Sequence, residues 1–454
     1  MVLKRKVTEQ LLRWKETSDK ALLVTGARQI GKSFSIREFG KSNYKTYFEA
    51  NLLLDKDAQE SLPHASNASD FISRIALLSK NQLIEGNSLI FIDEIQEFPE
   101  IVTLLKALVE DGRFSYVFTG SMLGTEFKGI SSFPVGSVKR IVMRPLDFQE
   151  FCWAIGVSDE TLESIHCCMV NRSIVPDYMH RAMIKNFNAF VIAGGMPEVV
   201  QDYIDSSYSL IRTRQIQREL VEQYRVDISK YAQNQALSVR AIFDSLPNEL
   251  LGENHRFLLS SLRNNARFEN YSEDFLWLKN AGVGLVVPRS TEARIPLRRT
   301  IKQNYFKLYQ SDTGMLVARY PQSTAQAIFL QKNTQNLGGI YENVVAQELL
   351  TQGIDPYYYY SSDIGEVDFV IEGRGESIVP IEVKSGRKVH SHSALDNLIH
   401  KHGDKIAEGI VLTQKNTERQ EGVTYLPFYM TPYLHELTES ENDAAGFTFS
   451  PATI

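Results

Sequence analysis

The sequence has few cysteines and no long hydrophobic run, and these two absences exclude two classes of protein. Three cysteines among 454 residues cannot build a disulfide framework, so we expect the chain to fold in a reducing compartment. No run of eighteen or more apolar residues occurs, so no transmembrane helix is predicted. The first residues also lack the apolar core of a signal peptide. We therefore expect a cytoplasmic protein that has no membrane partner.

Neither sign of charge is in large excess, which argues against a surface built throughout for nucleic acid. The net charge is -6, from 49 lysines and arginines against 55 aspartates and glutamates. This balance does not exclude a local basic patch. The hydrophobic fraction of 43% is typical of a soluble globular protein, and the length predicts two to four domains.

A glycine loop between an apolar strand and a helix predicts a phosphate-binding site. The segment "ALLVTGARQIGKSFSIREFG" contains the pattern G-x-x-x-x-G-K-[ST]. Its glycines let backbone amides surround phosphate oxygens, and the following helix directs its positive end at the anion. We expect Lys32 to reach the β- and γ-phosphates of ATP and Ser33 to ligate Mg²⁺. The predicted nucleotide-binding residues are Gly26, Ala27, Arg28, Gln29, Ile30, Gly31, Lys32, Ser33 and Phe34.

Two further segments carry polar side chains to the ends of predicted strands. In "NSLIFIDEIQEFPE" the buried strand is followed by Asp93, which would hold Mg²⁺, and by Glu94, which would act as general base on the attacking water. An acidic pair at this place is otherwise a helix N-cap. In "FSYVFTGSM" the strand ends near Ser121, whose hydroxyl would contact the γ-phosphate or its water; the alternative is a serine in a turn.

Five segments together resemble a known group of proteins. "GARQIGKS", "LIFIDEIQ", "FTGSM", "RPLDFQEF" and "GGMPEVV" are similar, in order, to segments of bacterial and archaeal AAA-type ATP-binding proteins, over nearly the whole chain. Those proteins carry a C-terminal domain of unknown function with a restriction-endonuclease-like fold. The resemblance implies an α/β protein with a three-layer P-loop NTPase domain on a parallel sheet at 1–157, and a helical lid at 158–235. It further implies a nuclease-like domain at 326–454. The pattern at 236–325, short amphipathic helices followed by an apolar strand, a polar turn and another strand, predicts a winged helix.

One departure from that group concerns an arginine. The group usually has Gly-Arg shortly before the "PLxFxEF" segment, whereas this chain has Gly136 and Ser137. If that arginine acts on phosphate in the relatives, Arg140 or Arg144 could take its place and reach the nucleotide of a neighbouring subunit in a homo-oligomer. The alternative is that both are exposed basic residues on a strand.

A basic segment in the predicted winged helix is a candidate nucleic-acid contact. The wing at 288–308 could meet the phosphate backbone of DNA or RNA, or it could contact a protein partner. Its basic residues are Arg289, Arg294, Arg298, Arg299, Lys302 and Lys307, and Glu292 is the acidic residue nearby.

The C-terminal segments "GEVDFV" and "PIEVKSG" resemble the core of the PD-(D/E)xK nucleases. Asp368 would lie on one strand, and Glu382 and Lys384 on the next, both on one face because strand side chains alternate with a period of two. Glu342, on a preceding helix, matches the acid often added to that site. The carboxylates suit Mg²⁺ or Mn²⁺, and Lys384 would orient or deprotonate water. The alternative is a salt-bridged structural cluster that cuts nothing.

These segments predict an ATP-hydrolysing enzyme that uses Mg²⁺. Nucleotide state would be coupled to the winged helix and to the nuclease-like module, and the protein would act on nucleic acid. A second interpretation is an ATP-dependent switch that binds a protein partner and carries a catalytically inert C-terminal scaffold.

Overall fold

The computed structural model describes residues 2–121, 135–252, 255–263, 266–332, 337–386 and 388–438. Within them the chain divides into two units. The first contains Met1–Leu146, Met196–Glu198 and Leu276–Val283, and the second contains Asp147–Gly195, Val199–Phe275 and Gly284–Ile454. Each unit has a sheet of its own.

The first unit is built on a parallel sheet of five strands, as the sequence predicts for an α/β NTPase fold. The strand order is β2-β3-β4-β1-β5, and all four pairings are parallel. Its strands are β1 Ala21–Gly26, β2 Thr46–Asn51, β3 Ser88–Asp93, β4 Ser115–Ser121 and β5 Val138–Val142. Its helices are α1 Val7–Thr17, α2 Lys32–Asn43, α3 Lys56–Ser61, α4 Ala68–Leu78 and α5 Glu100–Asp111.

Continuous apolar runs form the central strands because both faces of this sheet are covered. Every residue of β1 and of β3 is buried, which confirms the prediction that "SLIFI" is a buried parallel strand. On one face, Leu23 and Ile92 pack into a cluster that also contains Leu105 of α5. This packing carries the carboxyl ends of β1, β3 and β4 to the same edge of the sheet, where α/β folds bind their ligands.

The second unit combines helices with a mixed sheet of eight strands, in the order β12-β13-β11-β10-β9-β8-β6-β7. Among the described residues, no helix is both long and apolar enough to cross a membrane. The strands are β6 Gly284–Ser290, β7 Ile301–Gln310, β8 Tyr357–Ser361, β9 Gly365–Glu372, β10 Ile378–Lys384, β11 Gly409–Thr413, β12 Glu418–Gln420 and β13 Val423–Pro427. The remaining helices of the chain are α6 Phe148–Ala154, α7 Asp159–Val170, α8 Asp177–Ala193, α9 Pro197–Asp205, α10 Leu210–Tyr231, α11 Ala236–Glu249, α12 Ser272–Asn280, α13 Thr313–Val317, α14 Gln322–Phe329, α15 Gly338–Thr351 and α16 Ser393–His402.

The hairpin predicted as the wing belongs to the C-terminal sheet. β6 pairs with β7 in antiparallel register and with β8 in parallel register, the latter through Arg289 opposite Tyr358. The predicted domain boundary at 325/326 therefore falls between strands of one sheet. The fourfold division of the chain, including the winged helix, stays a prediction.

Helix α15 is buried on all sides and carries polar side chains that bond to the elements around it. The Asn343 side chain bonds both the N–H and the carbonyl of Gln310, and Gln347 accepts from the N–H of Thr313. Glu348 accepts from the backbone N–H of Phe148. Because buried polar groups are costly unless they are paired, these bonds fix the rotation of α15 and direct Glu342 at the sheet.

The paired glycines after α8 form a connection that tolerates no side chain. Gly194 has φ +73° and ψ −167°, a conformation that is essentially restricted to glycine. A Cβ there would overlap both carboxylate oxygens of Asp312. That carboxylate accepts from the N–H of Gly195 at 2.6 Å and from the N–H of Met315 at 2.9 Å, so it cannot move without losing both bonds.

We predict that Gly194→Ala destabilises the protein by about 3 kcal/mol, from backbone strain and from overlap with Asp312. The matched control is Gly156→Ala in the same unit, at a glycine with φ +86° and no heavy atom within 4 Å of the added Cβ. That variant should lose about 1 kcal/mol through strain alone. Urea unfolding midpoints measure both, and equal losses would show that the contact with Asp312 contributes nothing.

Candidate functional site

The loop between β1 and α2 has the geometry of a phosphate cradle. Gly26 has φ +149°, and a Cβ on it would overlap the carbonyl oxygen of Met143. Gly31 has φ +85° and precedes α2, which begins at Lys32, so the N-terminal amides of α2 point into the loop. Gln29 also has a positive φ, of 63°. Phe34 is 47% exposed on α2.

Lys32 is folded back into this loop. Its side chain is buried, with 6% of its surface exposed, and Nζ donates to the carbonyl of Ala27 at 2.7 Å and to that of Gly26 at 3.0 Å. Burial lowers the pKa of Lys32 to about 8, although the charges of Glu94 and Asp93 oppose that shift. Because both of its bonding partners are neutral carbonyls, the positive charge of this ammonium is available to an anion.

Asp93 is the centre of a set of hydrogen bonds that joins four elements. Its Oδ2 accepts from Ser33 Oγ at 2.8 Å and from Asn51 Nδ2 at 2.9 Å. Its Oδ1 accepts from the hydroxyl of Thr119 and, at 3.1 Å, from the N–H of Glu94. The residue is 4% exposed, and no lysine or arginine of the described residues lies within ion-pair distance of it. The structure therefore brings Ser33 and Asp93 together as the sequence predicts.

Glu94 occupies an unusual backbone position directly after β3. Its φ of 57° and ψ of 47° are left-handed, a conformation that costs a non-glycine residue about 1–3 kcal/mol. With this left-handed backbone, the side chain of Glu94 leaves the chain in a different direction from the side chain of Asp93. Glu94 Oε2 accepts from Gln96 Nε2 at 2.6 Å. A strained residue next to a ligand-binding strand end is typical of a catalytic position.

Ser121, the predicted contact of the γ-phosphate or its water, ends β4, but its side chain lies outside the described part of the structure. Thr119, two residues earlier on the same strand, bonds Asp93. β4 lies between β1 and β3, as the prediction of a strand beside the acidic one requires. Of the two candidate arginines, Arg140 donates to Thr25 Oγ1 at 3.1 Å, and the backbone carbonyl of Arg144 accepts from Arg5. For both arginines, contact with the nucleotide of a neighbouring subunit stays a prediction.

Several residues around the loop were not singled out from the sequence. Arg5 donates to the carbonyl of Ile30 at 3.1 Å and to that of Arg144 at 2.7 Å, which joins the start of the chain to the loop. Pro197, which the first unit includes, lies with Cγ 3.7 Å from the position of a Cβ on Gly31. Pro197 belongs to the segment "GGMPEVV", but neither its contact nor that of Arg5 could be predicted, because each depends on residues distant in sequence.

The glycine loop, Lys32, Ser33 and Asp93 together fit a nucleotide with magnesium. Backbone amides and Lys32 match phosphate oxygens, and the Ser33 hydroxyl with the Asp93 carboxylate is a set of hard oxygen donors suited to Mg²⁺.

The second predicted cluster, in the C-terminal sheet, contains a lysine where a metal was expected. Lys307 of β7 has no exposed side-chain surface, and its Nζ lies 3.0 Å from Glu342, 3.0 Å from Glu366 and 3.4 Å from Asp368. The basic wing therefore does not include Lys307 as an exposed residue, which corrects the sequence interpretation. Glu342 also accepts from Tyr309 at 2.7 Å and pairs with His255 at 2.6 Å.

The acids of this cluster differ in how strongly they hold a proton. Burial alone would raise the pKa of Glu342, but the charges of Lys307 and His255 hold it well below the usual value. Burial, followed by the charges of Glu342 and Glu382, raises the pKa of Asp368 well above its usual value. The cationic side chains of this cluster thus offset the charges of its carboxylates.

The residues do not fit a catalytic metal centre. Among the described residues, no three histidines, cysteines or acids are arranged to hold a metal ion. Lys384 Nζ donates to Glu382 Oε1 at 2.8 Å. Burial lowers the pKa of Lys384, but Glu382 outweighs burial and raises it overall, so this lysine is a poor base for water. Glu342, Asp368, Glu382 and Lys384 do lie together as predicted, but with lysine counter-ions.

Family models match three parts of the chain. Residues 18–152 match an AAA domain, and this part of the chain is an AAA-type P-loop NTPase domain. Residues 184–326 match a domain of unknown function (DUF8612), and residues 337–430 match another (DUF4143). No curated protein matches the chain. AAA-type domains generally bind ATP with Mg²⁺.

Several solved structures match the chain at low identity and low TM-score. A Walker-type ATPase of Pyrococcus abyssi is 16% identical, with 70% of this chain and 96% of that chain covered and a TM-score of 0.43. The ORC1 protein of Aeropyrum pernix, solved in complex with DNA, is 11% identical, with coverage of 73% and 93% and a TM-score of 0.29. RuvB of Thermotoga maritima is 14% identical, with coverage of 67% and 90% and a TM-score of 0.30. At these TM-scores the likenesses do not bear on function.

We predict that nucleotide affinity falls as the pH rises through the lowered pKa of Lys32. Because that pKa is about 8, the lysine loses its proton above this pH unless the nucleotide restores it. The dissociation constant for MgADP should rise about tenfold between pH 7 and pH 9. Isothermal titration calorimetry at each pH measures this, and a dissociation constant that stays flat would contradict the assigned pKa.

We predict that Lys307→Met destabilises the protein by about 3–5 kcal/mol, because it leaves Glu342 buried without its ammonium partner. Lys302→Met on the same strand is the control; Lys302 is exposed, and its loss should cost less than about 0.5 kcal/mol. Urea unfolding followed by circular dichroism measures both.

Mn²⁺ without nucleotide should leave the midpoint of an Asp93→Asn protein unchanged, because that variant lacks the carboxylate of the first site. Stabilisation by Mn²⁺ in the Asp93→Asn protein would mean that a metal displaces Lys307, and it would contradict the ionic cluster.

Proposed function

We propose that the protein hydrolyses ATP with magnesium at its AAA domain and couples nucleotide state to its second unit, which acts on nucleic acid. The observation that carries the ATPase part is the position of Asp93. It accepts hydrogen bonds from Ser33, Asn51 and Thr119, side chains of three different structural elements. A buried carboxylate that has hydroxyl and amide donors and, within the described part of the chain, no cationic partner has its charge left for a metal.

Each residue of the loop has a role in this proposal. The amides of residues 26–34 and the Lys32 ammonium bind the phosphates, and Ser33 and Asp93 would hold the magnesium. Magnesium, when bound, would neutralise charge that develops on the phosphate oxygens. Glu94 orients and polarises the attacking water as general base, and its left-handed backbone directs it away from Asp93.

The second unit enters the proposal as a binding module. Cleavage is not proposed, because Lys307 and Lys384 compensate the acids that a nuclease would need for its metal. The exposed cations Arg294, Arg298, Arg299 and Lys302 support contact with DNA or RNA. A cytoplasmic location, a helical lid at 158–235, and a homo-oligomer in which Arg140 or Arg144 reaches the neighbouring nucleotide belong to the same proposal.

A second candidate function is an ATP-dependent switch that binds a protein partner. The observation that favours it is the same Lys307 cluster, since an inert C-terminal scaffold is part of that interpretation. The two functions share the ATPase step and differ in what the second unit binds.

We predict that Glu94→Gln keeps nucleotide binding but lowers kcat for ATP hydrolysis by about 10²–10⁴-fold, because an amide cannot accept the proton of water. The matched control is Glu100→Gln, an exposed glutamate at the start of α5, which should hydrolyse ATP at the wild-type rate. Phosphate release measures turnover, and calorimetry measures binding.

Lys32→Ala should lose nucleotide binding itself, whereas Glu94→Gln should keep it. Undiminished hydrolysis by both Glu94→Gln and Lys32→Ala would sink the proposed mechanism. Wild-type hydrolysis that persists in EDTA would exclude the magnesium dependence.

A further inference from the structure

Two arginines and two tyrosines of the second unit form a continuous stack. The Arg256 guanidinium lies 4.1 Å from the centre of the Tyr360 ring, and the Arg289 guanidinium lies 4.8 Å from the same ring. Arg289 in turn lies 5.4 Å from the centre of the Tyr305 ring. We call these four residues the Arg–Tyr stack. No sequence motif identified it, because its members come from four separate segments.

Strand pairing and bonds to Glu366 and to the Tyr360 backbone hold the Arg–Tyr stack in place. Tyr360 lies opposite Glu366 in the pairing of β8 with β9, and Arg256 bonds Glu366 at 2.5 Å. Arg289 donates to the Tyr360 carbonyl at 2.7 Å. These bonds hold the guanidinium planes and the Tyr360 ring in place before any ligand arrives, which reduces the entropic cost of binding.

The outer end of the stack is exposed. Tyr305 has 47% of its surface exposed, and it lies in the part of β7 whose residues 302–305 are all exposed. β7 is the last strand of the sheet, so this end of the stack lies at the sheet edge. A large aromatic ring with half its surface in water offers a planar apolar face to a ligand.

The chain segment that carries Arg289 and Tyr305 is strongly positive although the whole chain is acidic. Residues 288–305 contain five cations and one carboxylate, that of Glu292, in a protein of net charge -6. Among the described residues, Arg289 and the exposed cations of this segment form no ion pair with a carboxylate. The five cations are Arg289, Arg294, Arg298, Arg299 and Lys302. An anion is therefore the complementary ligand.

From these observations we propose that the Arg–Tyr stack binds single-stranded nucleic acid, with an unpaired base on Tyr305 and phosphates on Arg289 and the neighbouring cations. The proposal rests on the proposed action on nucleic acid and names its substrate class. Aromatic rings and guanidinium planes stack on unpaired bases, and cations beside them follow the backbone. One planar face, combined with cations that form no ion pair within the described residues, matches both parts of such a ligand.

A duplex fits this surface less well than a single strand. Its bases are already stacked on one another, so Tyr305 would gain no partner and the cations alone would contribute. A protein partner could also use tyrosine and arginine as anchors, but it would have to be acidic to suit the segment. Binding to a duplex and binding to a protein are both outcomes that the experiment separates from the proposal.

The test uses the full-length protein and fluorescence anisotropy of labelled oligonucleotides of about 20 residues, with single-stranded DNA, single-stranded RNA and duplex DNA compared. Tyr305→Ala should weaken single-strand binding about tenfold, whereas Tyr305→Phe, which keeps the ring, should stay within about twofold. The matched control is Tyr178→Ala, at a tyrosine of α8 in the same unit that is 69% exposed; it should bind as the wild type does.

A second variant tests the phosphate contact. Arg289→Gln should reduce the slope of log affinity against log salt concentration by about 0.7, the value for one phosphate contact on a single strand. Thermal melting of each variant establishes that it is folded.

The outcomes separate this surface from the proposed function. If the wild type binds single strands but Tyr305→Ala and Arg289→Gln bind equally well, the stack is overturned and the nucleic-acid function stands. If Tyr305→Phe loses as much as Tyr305→Ala, or if duplex binds as tightly as single strands, stacking is overturned. If the wild type binds no oligonucleotide with or without MgADP, both the stack and the nucleic-acid function fail, and the protein-partner switch remains.

Discussion

The buried contact between Lys307 and Glu342 holds the second unit together. Lys307 lies on β7, Glu342 on α15, and the other two acids that Lys307 contacts lie on β9. An ammonium taken out of water loses several kcal/mol of solvation unless carboxylates replace it, and the same holds for the carboxylates. The hairpin of β6 and β7 therefore cannot leave the sheet without exposing unpaired charges on both sides. This constraint makes the hairpin part of the C-terminal sheet.

The two acidic clusters of the protein look alike in sequence and differ in their counter-charges. Asp93 receives hydrogen bonds from neutral hydroxyl, amide and backbone donors, so its charge is left for a metal. Lys32, the nearest ammonium of the loop, is bonded to backbone carbonyls instead. In the second unit, Lys307 and Lys384 already bond the acids. The same residue types therefore give a ligand-ready site in one unit and a closed ionic cluster in the other.

The sequence was sufficient to predict the site where residues close together in the chain determine its geometry. The glycine loop, its helix and the buried strand before Asp93 follow from spacing and apolar runs, and the structure brings Ser33 and Asp93 together. It was insufficient where contacts depend on register between distant strands. Lys307 looked like one of six wing cations, because nothing in its neighbours shows that it faces Glu342.

The closed ionic cluster also makes anion binding beside it possible. Arg256 contacts both the Tyr360 ring and Glu366, so the Arg–Tyr stack and the acids of β9 are direct neighbours. Uncompensated carboxylates beside the stack would repel a phosphate backbone. Lys307 lowers this repulsion by pairing with Glu366 as well as with Glu342. In the proposed function Lys307 has two effects: it pairs with acids that a nuclease would need for its metal, and it lowers the negative potential under the stack.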